Sequence, residues 1–182
     1  MSVVFQLAGE AWAPCTFDAV VLAFLKAEWE KWGLGRFADR ELVDRADLAD
    51  AAHNAARLRL LQVRGPLLQH VPADTEWFEV RHLRAHHLWQ LRNIHHIDWS
   101  EHSSANELLE TARARPEPLR GAPEGWEPVL WAHHRHGPFT ILEGNHRLTA
   151  LAGALPQHQD YRMVAYVGLS AQPCEWHRLD VL

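Results

Sequence analysis

The chain has 182 residues, of which 47% are hydrophobic, and this length and composition predict one folded domain and exclude a disordered chain. The formal net charge is −5, which argues against a general role in binding nucleic acid, although the 14 histidines would make the chain more positive near pH 6. No apolar run reaches the roughly 18 residues that a membrane span requires.

The N-terminus and the cysteines indicate the cellular compartment in which the protein is expected. The first residues, MSVVFQLAGEAWAPC, lack the basic start of a signal peptide. The two cysteines, Cys15 and Cys174, form no CxxC pair and cannot build a disulfide framework. We therefore expect a cytoplasmic protein with reduced thiols and no membrane partner.

Residues 1–75 are predicted to be a helical N-terminal extension. Apolar side chains recur at helical spacing over 17–32, with Thr16 as the N-cap and Gly33 as the stop. The periodic positions are Val20, Val21, Phe24, Leu25, Glu28 and Trp32. A second helix is predicted over 45–64, a stretch rich in Ala, Leu and Arg that ends at Gly65-Pro66. The extension could cover a sheet, form a homodimer interface or shape an acceptor pocket.

A second unit is predicted over residues 76–182, and its first half contains a strand, a helical segment and a capped helix. Alternating apolar residues predict a strand over 76–83. Apolar residues at every third position over 86–97 predict a helix or a helical turn. Ser104-Ala-Asn-Glu107 matches a capping box, which predicts a helix from 105 to about 115. Prolines and glycines mark 116–125 as a loop.

The second half of this unit is predicted to be a hairpin, a helix and a last strand. Residues 128–142 predict two strands joined at His136-Gly137-Pro138, and a helix follows over 145–154. The run RMVAYVGL predicts a strand over 162–169. From residue 76 the order is strand, helix, strand, strand, helix, strand. This order predicts an α/β (α+β) fold with a small mixed sheet and flanking helices.

The junction ILEGNHR, residues 141–147, carries the main functional signal. Gly144 lets the backbone turn and a ligand approach, and the helix that follows offers N–H groups and partial positive charge. Arg147 can hold a phosphate through two parallel hydrogen bonds, and His146 adds a donor. A phosphate, most simply that of a nucleotide, fits this turn. The structural alternative is that Arg147 pairs with Glu143 or caps a neighbouring helix, and that His146 is a surface residue whose hydrogen bonds are satisfied.

The motif and the element order resemble the ParB/sulfiredoxin superfamily over roughly residues 76–170. The matching segments are PVLW (128–131), FTILEGNHRLTALAGA (139–154) and RMVAYV (162–167), preceded by the helix ANELLETARA (105–114). The resemblance implies a ParB/sulfiredoxin-like domain whose strand-to-helix turn binds the phosphates of a nucleotide. The first 70 residues lie outside it.

The resemblance also implies functions and residue roles. Members bind CTP or ATP; some are partition proteins that use CTP as a switch on DNA, and sulfiredoxins use ATP to phosphorylate an oxidised cysteine. Others, such as an ADP-dependent serine kinase, act on small molecules. The resemblance assigns Gly144, Asn145, His146 and Arg147 to the binding of ATP, ADP or CTP, and Glu143 to the acidic, catalytic position that opens the motif.

Two departures from the superfamily narrow the expected function. Sulfiredoxins have their catalytic cysteine just before the His-Arg pair, where this chain has Asn145, which argues against sulfiredoxin chemistry. Partition proteins continue into a helix-turn-helix region and a dimer domain. We expect no partition role here, because the chain is acidic and ends soon after its last predicted strand.

Phosphoryl transfer to a hydroxyl needs a carboxylate near the acceptor and a metal ion that neutralises phosphate charge, and Mg²⁺ is the expected metal. In the kinase-like relatives the acidic residue follows the first strand. Asp98 and Glu101, in HHIDWSEHS, are the nearest candidates, with Trp99 placed to stack on a base or a substrate. The alternative is that both acids are solvated loop residues.

The histidines do not predict a transition-metal site. Three adjacent pairs occur: His86-His87, His95-His96 and His133-His134. Neighbouring residues of a strand point to opposite faces, so each pair offers at most one easy ligand. His95, Asp98 and His102 have helical spacing and are the alternative that keeps such a site open.

The sequence therefore predicts a nucleotide-binding enzyme, a kinase-like phosphotransferase or NTPase that acts on a small-molecule or protein acceptor. The first alternative is a non-catalytic, nucleotide-responsive regulatory module whose helical N-terminus docks a partner. The second is a nuclease, against which the acidic charge and the lack of a clear metal-carboxylate cluster argue.

Overall fold

The computed structural model describes residues 11–45, 47–64, 67–84, 91–93, 108–114, 126–154 and 162–174. The helices in these ranges are α1 (Phe17–Trp32), α2 (Glu41–Asp44), α3 (Ala51–Arg64), α4 (Leu108–Ala114) and α5 (Asn145–Gly153). The strands are β1 (Trp12–Pro14), β2 (Glu76–Arg84), β3 (Leu91–Asn93), β4 (Val129–Ala132), β5 (Phe139–Glu143) and β6 (Arg162–Leu169). None of the helices in the described ranges is long and apolar enough to cross a membrane.

The described strands form one mixed sheet in the order β1-β2-β6-β4-β5-β3. β4 runs parallel to β6 and β3 runs parallel to β5, whereas the other neighbouring strands are antiparallel. The predicted α+β class, a mixed sheet with flanking helices, is confirmed. β5 lies between β4 and β3, so its C-terminal end leads into α5 from inside the sheet.

Helices cover both faces of the sheet. On one face, Leu148 and Leu151 of α5 pack with Ile141 and with α4. On the other face, the apolar side of α1 packs with Leu142 of β5 and with Trp131 of β4. Burial of these apolar surfaces stabilises both layers. Of the roles left open for the N-terminal helices, α1 therefore covers the sheet and lies beside the end of β5.

The local signals at both ends of α1 are confirmed. Thr16 Oγ1 accepts a hydrogen bond from the Ala19 N–H at 3.4 Å, as an N-cap does. Gly33 ends the helix in the left-handed conformation, with φ of 61°. The periodic side chains are buried, including the carboxylate of Glu28, except for Trp32, which is half-buried.

The second predicted helix begins later than the sequence indicated. α3 starts at Ala51 rather than at residue 45, because the side chain of Asp50 accepts hydrogen bonds from the Ala52 and His53 N–H groups at 2.9 and 3.1 Å. The segment before it is held by Arg57, which is fully buried. The guanidinium of Arg57 donates to the backbone oxygens of Leu42, Asp47 and Arg45, and to Asn54 Oδ1.

The prediction of a helix or helical turn over 86–97 is wrong for residues 91–93. These residues form β3, which pairs in parallel with residues 139–141. The cause is tertiary structure: pairing with the free edge of β5 outweighs the helical tendency that the spacing of apolar residues indicated. The rest of 86–97, the capping box at 104–107 and the loop at 116–125 lie outside the described residues.

The remaining predicted elements are present. α4, the hairpin of β4 and β5, α5, β2 and β6 all lie where the sequence placed them, within one or two residues where both ends are described. β1 was not predicted; it pairs antiparallel with β2 and extends the sheet at its edge. From residue 76 the observed order therefore contains one strand, β3, more than the sequence indicated.

Candidate functional site

The turn between β5 and α5 is built around Gly144. This residue caps α5 with φ of 101°, a conformation that side-chain-bearing residues rarely adopt, and its carbonyl accepts the Leu148 N–H at 2.8 Å. A Cβ at this position would lie 2.3 Å from Cζ2 of Trp126. The turn therefore requires glycine for its backbone angle and for the close approach of the indole ring.

A cleft of about 380 Å³ lies between the C-terminal half of α1 and this turn. Its lining residues are Phe24, Glu28, Lys31 and Trp32 of α1, with Leu142, Glu143, Gly144, Asn145, His146 and Arg147 of the junction. This volume falls within the roughly 300–1,000 Å³ typical of small-molecule sites. The five predicted residues of the motif, 143–147, therefore line one cleft.

Glu143 is a buried carboxyl in the wall of this cleft. Its side chain accepts a hydrogen bond at Oε2 from Nε1 of Trp126 at 3.0 Å, and only 4% of the residue is exposed. Burial raises the pKa of Glu143 to about 7, against the opposing effects of the Trp126 hydrogen bond and of the Arg147 charge. The neighbouring carboxylate of Glu28 raises this pKa further.

Arg147 is exposed but is held by two contacts. Its Nη2 donates to the backbone oxygen of Ala27 at 3.1 Å, and its guanidinium carbon lies 5.3 Å from the centroid of the Trp126 ring. The predicted alternative had Arg147 paired with Glu143 or capping a neighbouring helix, and the hydrogen bond to Ala27 is a contact with the backbone of α1. In the structure Arg147 is near enough to lower the pKa of Glu143, while α1 and Trp126 orient it at the mouth of the cleft.

The other two motif residues differ in their surroundings. Asn145 Nδ2 donates to the backbone oxygen of Ile141 at 3.0 Å, which ties the first residue of α5 back to β5. His146 is exposed and lines the cleft. The motif thus supplies one residue that fixes the turn and two cationic or cationisable side chains at the cleft.

Glu28, Lys31 and Trp126 are among the residues of the site that were not predicted. Glu28 is 6% exposed, and Lys31 Nζ lies 3.1 Å from its Oε2 and 3.3 Å from its Oε1. Trp126 contacts Gly144, Glu143 and Arg147 as described above. A signal for Glu28 existed in the sequence, since it is the one charged residue among the periodic, core-facing positions of α1.

The other predicted residues do not join this cleft within the described ranges. Asp98, Trp99 and Glu101 lie outside the described residues, as do the first two histidine pairs and His102. His133 Nδ1 lies 3.0 Å from the backbone oxygen of Ser170, next to the hairpin turn. Among the residues that the structure describes, no group of three or more His, Cys, Asp or Glu could hold a metal ion.

Replacing Trp126 with phenylalanine tests its role as the support of the site. The variant keeps an aromatic ring beneath Arg147 but removes the indole N–H that stabilises the ionised carboxyl of Glu143. We expect a loss of stability of about 1–2 kcal/mol and a further rise in the pKa of Glu143. Urea unfolding and carboxyl-carbon NMR titration measure these two effects. Trp12→Phe is the control, and an unchanged Glu143 titration in Trp126→Phe would contradict the assignment.

Comparison of the chain with protein-family models, with curated proteins and with solved structures finds no match. The resemblance to the ParB/sulfiredoxin superfamily therefore stays a prediction.

Proposed function

We propose that this protein binds a nucleotide in the cleft between α1 and the β5–α5 turn, and that it transfers or hydrolyses a phosphoryl group. The observation that carries the proposal is the cleft at the N-terminus of α5, a helix of nine residues, with a cationic mouth and a buried carboxyl of perturbed pKa. Perturbed carboxyls in clefts mark functional sites more often than chance would place them there.

The positive groups at the mouth of the cleft suit an anion. Arg147 and His146 follow the glycine turn, and Lys31 faces them from α1. The N-terminus of α5 adds partial positive charge from its peptide dipoles. Because contacts with Ala27 and Trp126 already orient the guanidinium of Arg147, little side-chain entropy is lost when it binds a phosphate.

The α1 side of the cleft supplies an aromatic surface for the rest of the ligand. Trp32 is half-buried, and its ring lies 5.4 Å from that of Phe24, centroid to centroid. A nucleobase can stack on such a ring whatever its identity, with a gain of about 1–3 kcal/mol per base. This surface favours a nucleotide over free inorganic phosphate.

Glu143 is the residue we assign to proton transfer. A carboxyl with a pKa of about 7 exchanges its proton readily near neutral pH, which suits a general acid or base. It would act on a small-molecule or protein hydroxyl, or on water, brought to the cleft. Asp98 and Glu101 stay predicted as residues that orient the acceptor.

Replacing Arg147 with alanine is the experiment that tests nucleotide binding. Isothermal titration with ATP, ADP, CTP and GTP, each with and without Mg²⁺, first identifies the ligand. We expect Arg147→Ala to raise the dissociation constant of that ligand at least tenfold, because a charge-assisted contact contributes about 1.5–3 kcal/mol. The matched control is Arg59→Ala on the exposed side of α3. Equal dissociation constants of the nucleotide for the two variants would contradict the assignment of the phosphate site to this turn.

Turnover separates the proposed enzyme from the two alternatives. A phosphotransferase or NTPase releases a nucleoside diphosphate or monophosphate steadily, whereas a nucleotide-responsive regulatory module binds the nucleotide without steady product formation. Cleavage of plasmid DNA in the presence of Mg²⁺ or Mn²⁺ would instead identify a nuclease.

A further inference from the structure

The cleft contains both positive and negative side chains, and a bound anion would balance only the positive ones. Arg147 and Lys31 at its mouth are exposed cations, but two carboxyl groups, Glu28 and Glu143, line its buried part. A phosphate seated at the 144–147 turn would lie close to both acids. Like charges in a partly desolvated site repel each other, so the arrangement calls for a positive group between the phosphate and the acids.

The carboxylate of Glu28 in particular does not receive from the protein all the hydrogen bonds that it can accept. Its side chain is 8% exposed, and its buried Oε2 has no hydrogen-bond partner. Lys31 Nζ lies 3.1 Å from this oxygen, but it is off the hydrogen-bonding direction and belongs to a side chain that is 62% exposed. A buried carboxylate that lacks full hydrogen bonding is costly, so Glu28 Oε2 is available to a further positive ligand.

We propose that Glu28 and Glu143 bind one divalent cation of the Mg²⁺ type in the cleft, between the two carboxylates and the phosphates of the nucleotide. Mg²⁺ prefers oxygen ligands and is commonly held by one or two carboxylates together with substrate phosphates and water. α1 and β5 each contribute one such carboxylate to the same cleft. This inference rests on the proposed function, because the nucleotide phosphates complete the set of ligands. In the cation-bound cleft this role replaces proton transfer by Glu143, because a carboxylate that binds a cation stays ionised.

Lys31 is the competing partner of Glu28. When the cation binds, the ammonium group loses its ion pair with Glu28 and turns toward the phosphates, which its exposed position allows. If Lys31 were instead the permanent counter-ion of Glu28, the carboxylate would have little affinity for a metal ion. Removal of the Lys31 charge therefore distinguishes the two arrangements.

The experiment is a titration with Mn²⁺ alone, followed by the loss of the electron paramagnetic resonance signal of the free ion. We expect wild type to bind Mn²⁺, and both Glu28→Gln and Glu143→Gln to bind it at least tenfold more weakly. Glu30→Gln, an exposed acid on the same helix, is the matched control and should bind as wild type does. Lys31→Met should bind Mn²⁺ several-fold more tightly.

These outcomes separate this inference from the proposed function. If wild type binds no Mn²⁺, or if both cleft variants bind it as Glu30→Gln does, the metal site is overturned, even where nucleotide binding is intact. If no nucleotide binds but Mn²⁺ binding depends on Glu28 and Glu143, the cation site stands and the nucleotide proposal fails. Far-UV circular dichroism of each variant shows that a lost signal does not come from unfolding.

Discussion

Gly144→Ala is expected to destabilise the protein by about 4 kcal/mol and to abolish the proposed binding of a nucleotide in the cleft. A side chain at φ of 101° costs about 1–3 kcal/mol in backbone strain. The new Cβ would also lie 2.3 Å from Cζ2 of Trp126, an overlap that forces the indole to move and adds about 1–3 kcal/mol. Because Trp126 holds Glu143 and Arg147, its displacement disturbs both of these side chains.

Gly153→Ala, at the other end of the same helix, is the matched control for this change. A Cβ at Gly153 meets nothing within 4 Å, so alanine there should be neutral or stabilising by up to about 1 kcal/mol. Urea unfolding of the two variants and wild type measures the difference. Similar unfolding midpoints for Gly144→Ala and Gly153→Ala would mean that the turn is not as tightly packed as the structure indicates.

The elements that the sequence predicted well are those fixed by local chemistry. α1 has a capping threonine, Thr16, a terminal glycine, Gly33, and a buried stripe between them. β5 and α5 are separated by Gly144, whose backbone angle ends the strand and begins the helix. In each case a few neighbouring residues decide the outcome, so a single sequence contains the necessary information.

The elements that the sequence missed depend on distant partners. β1 and β3 are three residues long, and each exists because a longer strand offers a free edge. No periodicity can appear in three residues, which is why the spacing over 86–97 favoured a helical segment at residues 91–93 instead. The late start of α3 has a local cause, the capping side chain of Asp50, which the Ala- and Leu-rich pattern concealed.

The residues of the candidate site show the same difference between local sequence signals and contacts with distant residues. Residues 143–147 are contiguous, so their glycine and their basic pair were enough to single out from the sequence alone the turn that lines the cleft. Glu28 comes to the cleft from more than a hundred residues away, because α1 crosses the end of β5. Trp126 is likewise separated from the turn in sequence, and only its contacts with Gly144, Glu143 and Arg147 in the structure assign it a role. Contacts between residues so far apart along the chain produce no regular spacing that can be detected in the sequence.

Glu143→Gln is expected to remove a pH dependence from the stability of the metal-free protein. The pKa of Glu143 is about 7 in the folded protein against an ordinary value of 4.5, which we take for the unfolded chain. A raised carboxyl pKa means that the folded state binds the proton more tightly. Its contribution to stability is therefore fully present below pH 4.5 and is lost as the pH rises through 7.

The difference between the variant and wild type isolates this one group, because every other titrating residue is common to both. Glutamine stays neutral at every pH, and its amide oxygen can still accept the Trp126 hydrogen bond. From about pH 5 to pH 8, with a chelator present, Glu143→Gln should gain about 2–3 kcal/mol in free energy of unfolding relative to wild type. Glu30→Gln, which changes an exposed acid, should show the same difference from wild type at both pH values. Urea unfolding at the two pH values measures the gain, and a constant difference for Glu143→Gln would show that this carboxyl is ionised throughout and is not the proton-transfer group of the cleft.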